Sequence, residues 1–449
     1  MKSEAPSLLA MAVGVLLGGA LACTSSSDDS GPVSGAGAGQ SGAHAGTGAG
    51  GTGNGVAGAT ALPGAAGFGQ AGAAGGLATG GVFAGQGGAA SASGAGNSSA
   101  GKSSAGSGAG GASAGASGAT SSAGVSVISG TLEGGVQFHD DKGALLNAHG
   151  GGINVVGDTF YFSGEYFVYS ASASYDTNNS FHGVSMYSSK DLVTWKFEKL
   201  ILRQQASGEL GPNRIGERPH IIRCPSTGEY VLYAHAASID YQTDKEVVYA
   251  TSATINGDYE YRGPLTNQNG AKAVHSDMSA LVDADNHPYV ITESGHVYKL
   301  ADDCHSWLSD TAYSAMNGME SPTAFKAGDS YFWIMSNKTG WRANDNQYAS
   351  APSMSGPWTN RGLIAPADAH TWISQSTFVL PVVGSAGTVY VYFGDHWQNA
   401  DDQTGKTTGK NNSLATLVVQ PLVIEGNKAS LPKFYASWKL DIGKGTWSP

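Results

Sequence analysis

Three carboxylates and two further polar side chains recur at matching places in the C-terminal part of the chain. His149, Asp277 and Glu320 each stand eight residues ahead of a Gly/Asp/Asn turn, Glu217 eleven ahead of one, and Gln375 nine or more. In Glu217-Arg218-Pro219, Glu320-Ser321-Pro322 and Gln375-Ser376-Thr377 the polar group sits where an apolar stretch begins. Carboxylates gathered in one pocket cannot all ionise cheaply, so at least one must hold its proton to higher pH. A carboxylic acid still protonated near neutral pH, beside a polar partner, is the equipment for protonating the leaving oxygen of a glycosidic bond. Tyr166, Tyr233, Tyr241, Trp341, Trp372 and Trp397 lie just beyond these strands. Their rings either stack on sugars or pack between structural units.

Positioning these residues requires a repeating scaffold, and the sequence contains one. A short strand, a turn and an aromatic strand recur five times, with turns at Gly157-Asp158, Thr227-Gly228, Asp285-Asn286, Gly328-Asp329 and from Gly384 to Gly387. Each reads as a β-hairpin with residues that tolerate positive φ at its tip. Four of the five continue into a further strand and a short motif closed by an aromatic, namely Trp195, Tyr259, Trp307 and Trp358; the fifth runs through Leu414 to Val423. Four-stranded units at this spacing, without amphipathic helices between them, predict an all-β fold: a five-bladed β-propeller. A β-sandwich explains the repeat poorly. In a propeller the first strand of each blade lines the central channel, so His149, Glu217, Asp277, Glu320 and Gln375 are expected to converge on one mouth.

The rest of the chain carries an address and a spacer. Lys2, the apolar run Leu8 to Leu21 and the junction Ala20-Leu21-Ala22-Cys23 read as a lipoprotein signal peptide over residues 1–22, with Cys23 as the lipidated N-terminus. Thr24, not Asp, follows Cys23, which favours the outer membrane or cell surface, with extracellular release also open. Residues 23–124 are almost entirely Gly, Ala and Ser and predict a disordered tether. Residues 125–449 form the folded domain. All but two of the chain's 24 basic residues and all but three of its 35 acidic ones lie there, leaving it at net −10. That charge argues against nucleic acid or anionic membrane surfaces as partners and suits a neutral ligand. The expected membrane contact is through the lipid anchor only. Cys224 and Cys304 either pair in an oxidising compartment or remain two buried thiols; neither has metal-ligand spacing.

With these residues in view, the domain resembles glycoside hydrolase family 43, and within it the subgroup of exo-β-1,3-galactanases. The matching stretches run in order across the domain: Ala148-His149-Gly150-Gly151-Gly152-Ile153, Tyr161-Phe162-Ser163-Gly164-Glu165, Tyr187 to Trp195, Glu217-Arg218-Pro219, Ser276-Asp277-Met278, Glu320-Ser321-Pro322, Thr339-Gly340-Trp341 and Ser374 to Pro381. The resemblance implies that Glu320 is the general acid and that Asp277 orients it and tunes its proton affinity. It implies that Glu217 and Gln375 hold the terminal sugar and the attacking water, and that Glu165, Tyr241, Thr339 and Trp341 complete the sugar subsite beside His149. It implies inversion of configuration. The family's usual Asp base at the first strand start is replaced by His149. Gln375 takes over the water or Glu217 acts as base, and the sequence leaves both open. Ser321 stands where Ala is expected, without consequence for the acid. No cofactor is implied. Some relatives hold calcium, but no calcium-loop motif is present. Propellers of this kind often work alone, so a monomer is expected. Three activities follow in order of fit: an exo-β-1,3-galactosidase acting on galactan or arabinogalactan side chains; an α-L-arabinofuranosidase or β-xylosidase; and a non-catalytic glycan-binding propeller.

Overall fold

A computed structural model describes residues 124–173, 178–397 and 411–449. The expected signal peptide, Cys23 and the tether up to residue 123 lie outside the described residues. The described chain is almost entirely β, with 23 strands. The first four-stranded sheet holds β2 (His149–Val156), β3 (Thr159–Glu165), β4 (Gly183–Ser189) and β5 (Lys196–Arg203). The second holds β6 (Arg214–Arg223), β7 (Tyr230–Ser238), β8 (Glu246–Ser252) and β9 (Glu260–Pro264). The third holds β10 (Met278–Val282), β11 (Pro288–Thr292), β12 (His296–Leu300) and β13 (Trp307–Ala312). The fourth holds β14 (Met319–Ala327), β15 (Ser330–Asn337), β16 (Gln347–Ala351) and β17 (Thr359–Leu363). The fifth holds β18 (Gln375–Val383), β19 (Thr388–His396), β20 (Thr416–Glu425) and β21 (Lys428–Ser430). Each is an antiparallel meander in chain order, and β2, β6, β10, β14 and β18 touch in a closed ring.

The count of five units is corrected here, because the propeller has six sheets. The sixth is three-stranded: β1 (Val125–Ser129) pairs with β22 (Ser437–Asp441), which pairs with β23 (Thr446–Ser448). Its register runs from Val125 opposite Asp441 to Ser129 opposite Ser437. The sheet joins the two ends of the domain, so no local hairpin signal announces β1. Ile128, Trp438 and Leu440 bury their side chains with residues of the first and fifth sheets, including Phe162 and Val391. The Trp438 indole N–H donates to the Val419 carbonyl at 3.1 Å.

Packing between neighbouring sheets supplies the stability. Separate apolar layers fill each gap: Met186 and Leu232 between the first two sheets, Val231 and Val290 in the next, then Ile291 and Trp333, then Phe332 and Tyr392. The aromatics that close the short motifs are part of this filling. Trp195 is fully buried, with its ring 5.7 Å from Phe162. Cys224 and Cys304 are joined by a disulfide, which resolves the alternatives left open by the sequence. The bridge spans 80 residues and ties the second sheet to the third. Cross-linking a loop of that length typically stabilises a domain by about 2–4 kcal/mol. The double substitution Cys224→Ala/Cys304→Ala is therefore expected to lower the denaturant midpoint of a protein that otherwise folds normally.

Candidate active site

The five polar residues counted back from the turns lie at or near the beginnings of the five ring strands, and four of them face a polar side chain across the hairpin. His149 pairs with Glu165, Glu217 with His235, Glu320 with Ser336 and Gln375 with Asp395. In the third sheet the Glu293 N–H donates to the Asp277 carbonyl at 2.9 Å. After the starting residue the ladder slips, between His149 and Gly152, Glu217 and His220, and Glu320 and Thr323. Gly150, Arg218 and Ser321 occupy these bulges at φ of 61°, 55° and 57°. A bulge re-aims the side chain beside it, here towards the channel. At Gly150 and Gly151 the bulge leaves no room for a side chain. A Cβ would lie 2.4 Å from Glu165 Oε1 at the first and 1.8 Å from the Ser163 carbonyl oxygen at the second.

Arg218 organises the cluster. Its Nη2 donates to Gln375 Oε1 and its Nη1 to the Ser376 carbonyl at 3.3 Å. Nε lies 3.7 Å from Asp277 Oδ2, and Nη1 lies 4.0 Å from Asp395 Oδ2. Its backbone N–H donates to Glu165 Oε1 at 2.7 Å. The guanidinium is buried and sits 5.8 Å from the Trp397 ring centroid. One positive charge thus serves a cluster that contains Glu165, Glu217, Asp277, Glu320 and Asp395.

Gln375 is held in one orientation. Trp397 Nε1 donates to its Oε1 at 2.8 Å, alongside Arg218. Both partners are donors only, so the atom they meet is the amide oxygen. The NH2 group consequently faces Glu320 Oε1 at 3.2 Å and Ser336 Oγ at 2.9 Å. Ser321, the departure noted in the sequence, stitches the two strands: its hydroxyl donates to the Ser376 carbonyl, and Ser376 Oγ donates back to the Ser321 carbonyl at 3.1 Å.

The electrostatics follow from this packing. Burial, reinforced by the charge of Asp277, raises the proton affinity of Glu320 to a pKa of about 8. Glu217 is raised to about 8 by the same two causes, against the opposing hydrogen bond from the Tyr241 hydroxyl. Glu165 is raised well above the usual carboxylate range by burial and the charge of Glu217. Asp277 Oδ2 accepts the Ser321 N–H at 3.0 Å. Beneath it, His235 lies 3.6 Å from Asp277 and 3.9 Å from Glu217, and burial lowers its pKa to about 4. Glu217, His235 and Asp277 place donor atoms within 4.8 Å of one another, so this trio is the part of the site that could hold a cation.

Replacing Asp277 tests this coupling. Asp277→Asn removes a negative charge that raises Glu320, so the pKa of Glu320 should fall. A general acid is lost as pH rises through its pKa. If Glu320 is the proton donor of a reaction at this site, the alkaline limb of kcat/KM, expected near pH 8 in the parent, should move to lower pH in this variant, and a pH–rate profile reads it directly.

The remaining candidates divide by location. Tyr241 donates to Glu217. Trp341 stands edge-on to Trp397, with centroids 4.8 Å apart. Thr339 accepts from Asn344 Nδ2 and donates to the Arg342 carbonyl, both at 2.7 Å, within its own loop. His149 is buried between Phe167 and Trp397, 3.7 Å from Asp395. Tyr233 belongs to the core and donates to the Cys304 carbonyl at 2.6 Å, while Trp372 packs against Phe434. Sequence reasoning gave no role to Arg218, His235, Ser336 or Asp395. Counting eight residues forward from Gly328 reaches Ser336, but His235 and Asp395 are found only by following the hairpin register across the bulges.

Comparison with known proteins places this geometry among carbohydrate-active enzymes. Residues 155–361 match the family model described as glycosyl hydrolases family 43. An exo-β-1,3-galactanase from Clostridium thermocellum is 30% identical over 72% of this chain and 68% of its own, with a TM-score of 0.61. A structure described as a putative exo-β-1,3-galactanase from Bifidobacterium bifidum is 30% identical over 68% of this chain and 95% of its own, with a TM-score of 0.57. An exo-β-1,3-galactanase from Phanerochaete chrysosporium, solved as a Glu-to-Gln variant with β-1,3-galactotriose, is 27% identical over 72% and 70%, with a TM-score of 0.60. A search of curated protein sequences gives no match.

Proposed function

Because the chain belongs to glycosyl hydrolases family 43 and is a glycoside hydrolase, we propose that it is an exo-acting β-1,3-galactosidase that removes galactose from the ends of galactan or arabinogalactan side chains. The observation that carries this reading is Glu320 itself. It is a carboxylic acid that burial and Asp277 hold protonated to about pH 8, and the Gln375 amide touches it at 3.2 Å. Related structures described as exo-β-1,3-galactanases, one of them holding β-1,3-galactotriose, support the choice of sugar and linkage.

In this mechanism Glu320 protonates the departing glycosidic oxygen while a water attacks the opposite face of the terminal galactose, inverting the anomeric carbon. Asp277 keeps the proton on Glu320 until it is needed. Gln375 presents its NH2 group to Glu320, and its oxygen is already engaged by Arg218 and Trp397. That arrangement favours positioning for Gln375; Glu217, which burial and Asp277 raise to about 8 as they do Glu320, accepts the water's proton only once it has lost its own. Tyr241 and Trp341 border the sugar. No cofactor enters any step.

A polysaccharide panel tests the substrate. β-1,3-Galactan should release galactose one unit at a time, with arabinan and xylan untouched. Arabinose or xylose as the product instead would move the chain to another activity of the family. The address read from the N-terminus belongs to the same proposal: a lipid at Cys23 would display the enzyme at the outer membrane or cell surface as a tethered monomer. Cys23→Ala should then shift the protein from the membrane fraction to the soluble one.

A further inference from the structure

We propose a divalent-cation site of the zinc class on the third sheet, formed by His275, His296 and Asp310. His296 opens β12 and Asp310 lies in β13, while His275 lies two residues ahead of Asp277. The two imidazoles stack with ring centroids 3.8 Å apart and planes 30° apart. His296 Nδ1 lies 3.0 Å from both Asp310 oxygens. The three residues offer donor atoms that all fall within 4.8 Å of one another.

Two imidazoles and one carboxylate are a zinc donor set that leaves a fourth position for water. Zinc bonds of ~2.0–2.2 Å at tetrahedral angles put neighbouring donors ~3.3–3.5 Å apart. The His296–Asp310 spacing is close to that, and a small inward movement of His275 completes the set. The carboxylate has the outer support that oriented metal ligands have: Tyr298, whose ring centroid stands 6.2 Å from that of His275, donates its hydroxyl to Asp310 and accepts the Val274 N–H at 3.4 Å. All three ligands are partly exposed, so an ion in solution can reach them.

The position gives the site a consequence. His275 is followed by Ser276, whose hydroxyl donates to Glu293 at 2.6 Å, and Glu293 also takes an ion pair from Lys338. A bound cation would fasten the segment leading into Asp277 to β12 and β13. It would act as a clamp and touch none of the reacting groups, so this inference does not depend on the identity of the sugar.

The full-length protein, stripped with chelator and titrated with zinc chloride, tests the proposal. Bound zinc is counted by mass spectrometry of the metal and melting is followed in parallel. Circular dichroism of the metal-free proteins confirms that His296→Gln, Asp310→Asn and His275→Ala/His296→Ala are folded. The expected result is one zinc per chain and a melting temperature raised by several degrees at saturation. Affinity should be at least tenfold weaker in each single variant, and the melting shift should vanish in the double variant. A parent that takes up no zinc, or variants that bind it as tightly as the parent, would overturn the proposal and leave His296–Asp310 as a simple ion pair.

Discussion

Glu320→Gln should lower kcat on β-1,3-galactan by about 10²–10⁴, the range that proton transfer from a placed side chain contributes, with little change in KM. The amide keeps the shape of the carboxylic acid and its contact with Gln375, so binding should survive. Its NH2 cannot protonate a departing alkoxide. The defect should depend on the leaving group. An aryl β-galactoside with an acidic phenol departs without a proton, and on such a substrate the variant should recover most of the parental rate. The substitution removes a buried group whose ionisation is disfavoured, so the melting temperature should hold or rise. A variant that retains a tenth or more of the parent's rate on galactan would mean that another group supplies the proton.

Arg218→Met is expected to be the most damaging single change to the fold around the site. It leaves Asp277 and Asp395 without their shared buried cation and the oxygen of Gln375 with Trp397 alone, while the backbone N–H to Glu165 remains. Removing one partner of a buried charge cluster typically costs ~3–5 kcal/mol. Some of that cost is recovered by protonating the abandoned carboxylates, so the loss of stability should be smaller at pH 5 than at pH 8. Arg218→Lys keeps a charge but cannot reach Gln375, Ser376 and Asp277 together. It should fall between parent and Arg218→Met in stability while losing most activity. Denaturant midpoints at the two pH values separate these outcomes. A variant with Met at this position that was as stable as the parent at pH 8 would remove Arg218 from the centre of the cluster.

The propeller was legible because its repeat is local. Each hairpin carries its turn residues and aromatic strand within a short stretch, and counting back from the turns gathers His149, Glu217, Asp277, Glu320 and Gln375 on one ring. The sixth sheet was not legible, since β1 and β22 are joined from opposite ends of the domain. The second polar row, with His235, Ser336 and Asp395, was missed because it appears only when hairpin register is followed past the bulges. Arg218 stood in a quoted motif, yet its neighbour Glu217 drew the chemistry. A lone cation among acids has meaning only once their convergence is known. Trp397 was read as a face for sugars or for packing. Its indole N–H turns out to fix the Gln375 amide, a role that ring counting cannot reveal. The disulfide was undecidable from two cysteines 80 residues apart, because pairing depends on how neighbouring sheets meet.

The most direct test of the account is the anomeric form of the first product from β-1,3-galactotriose, followed by proton NMR within the first minutes of reaction. Attack by water opposite a leaving group protonated by Glu320 gives galactose that appears first as the α-anomer and then mutarotates, with galactobiose as the other product. Galactose appearing first as the β-anomer, or galactotriose left intact by a folded enzyme, would contradict it.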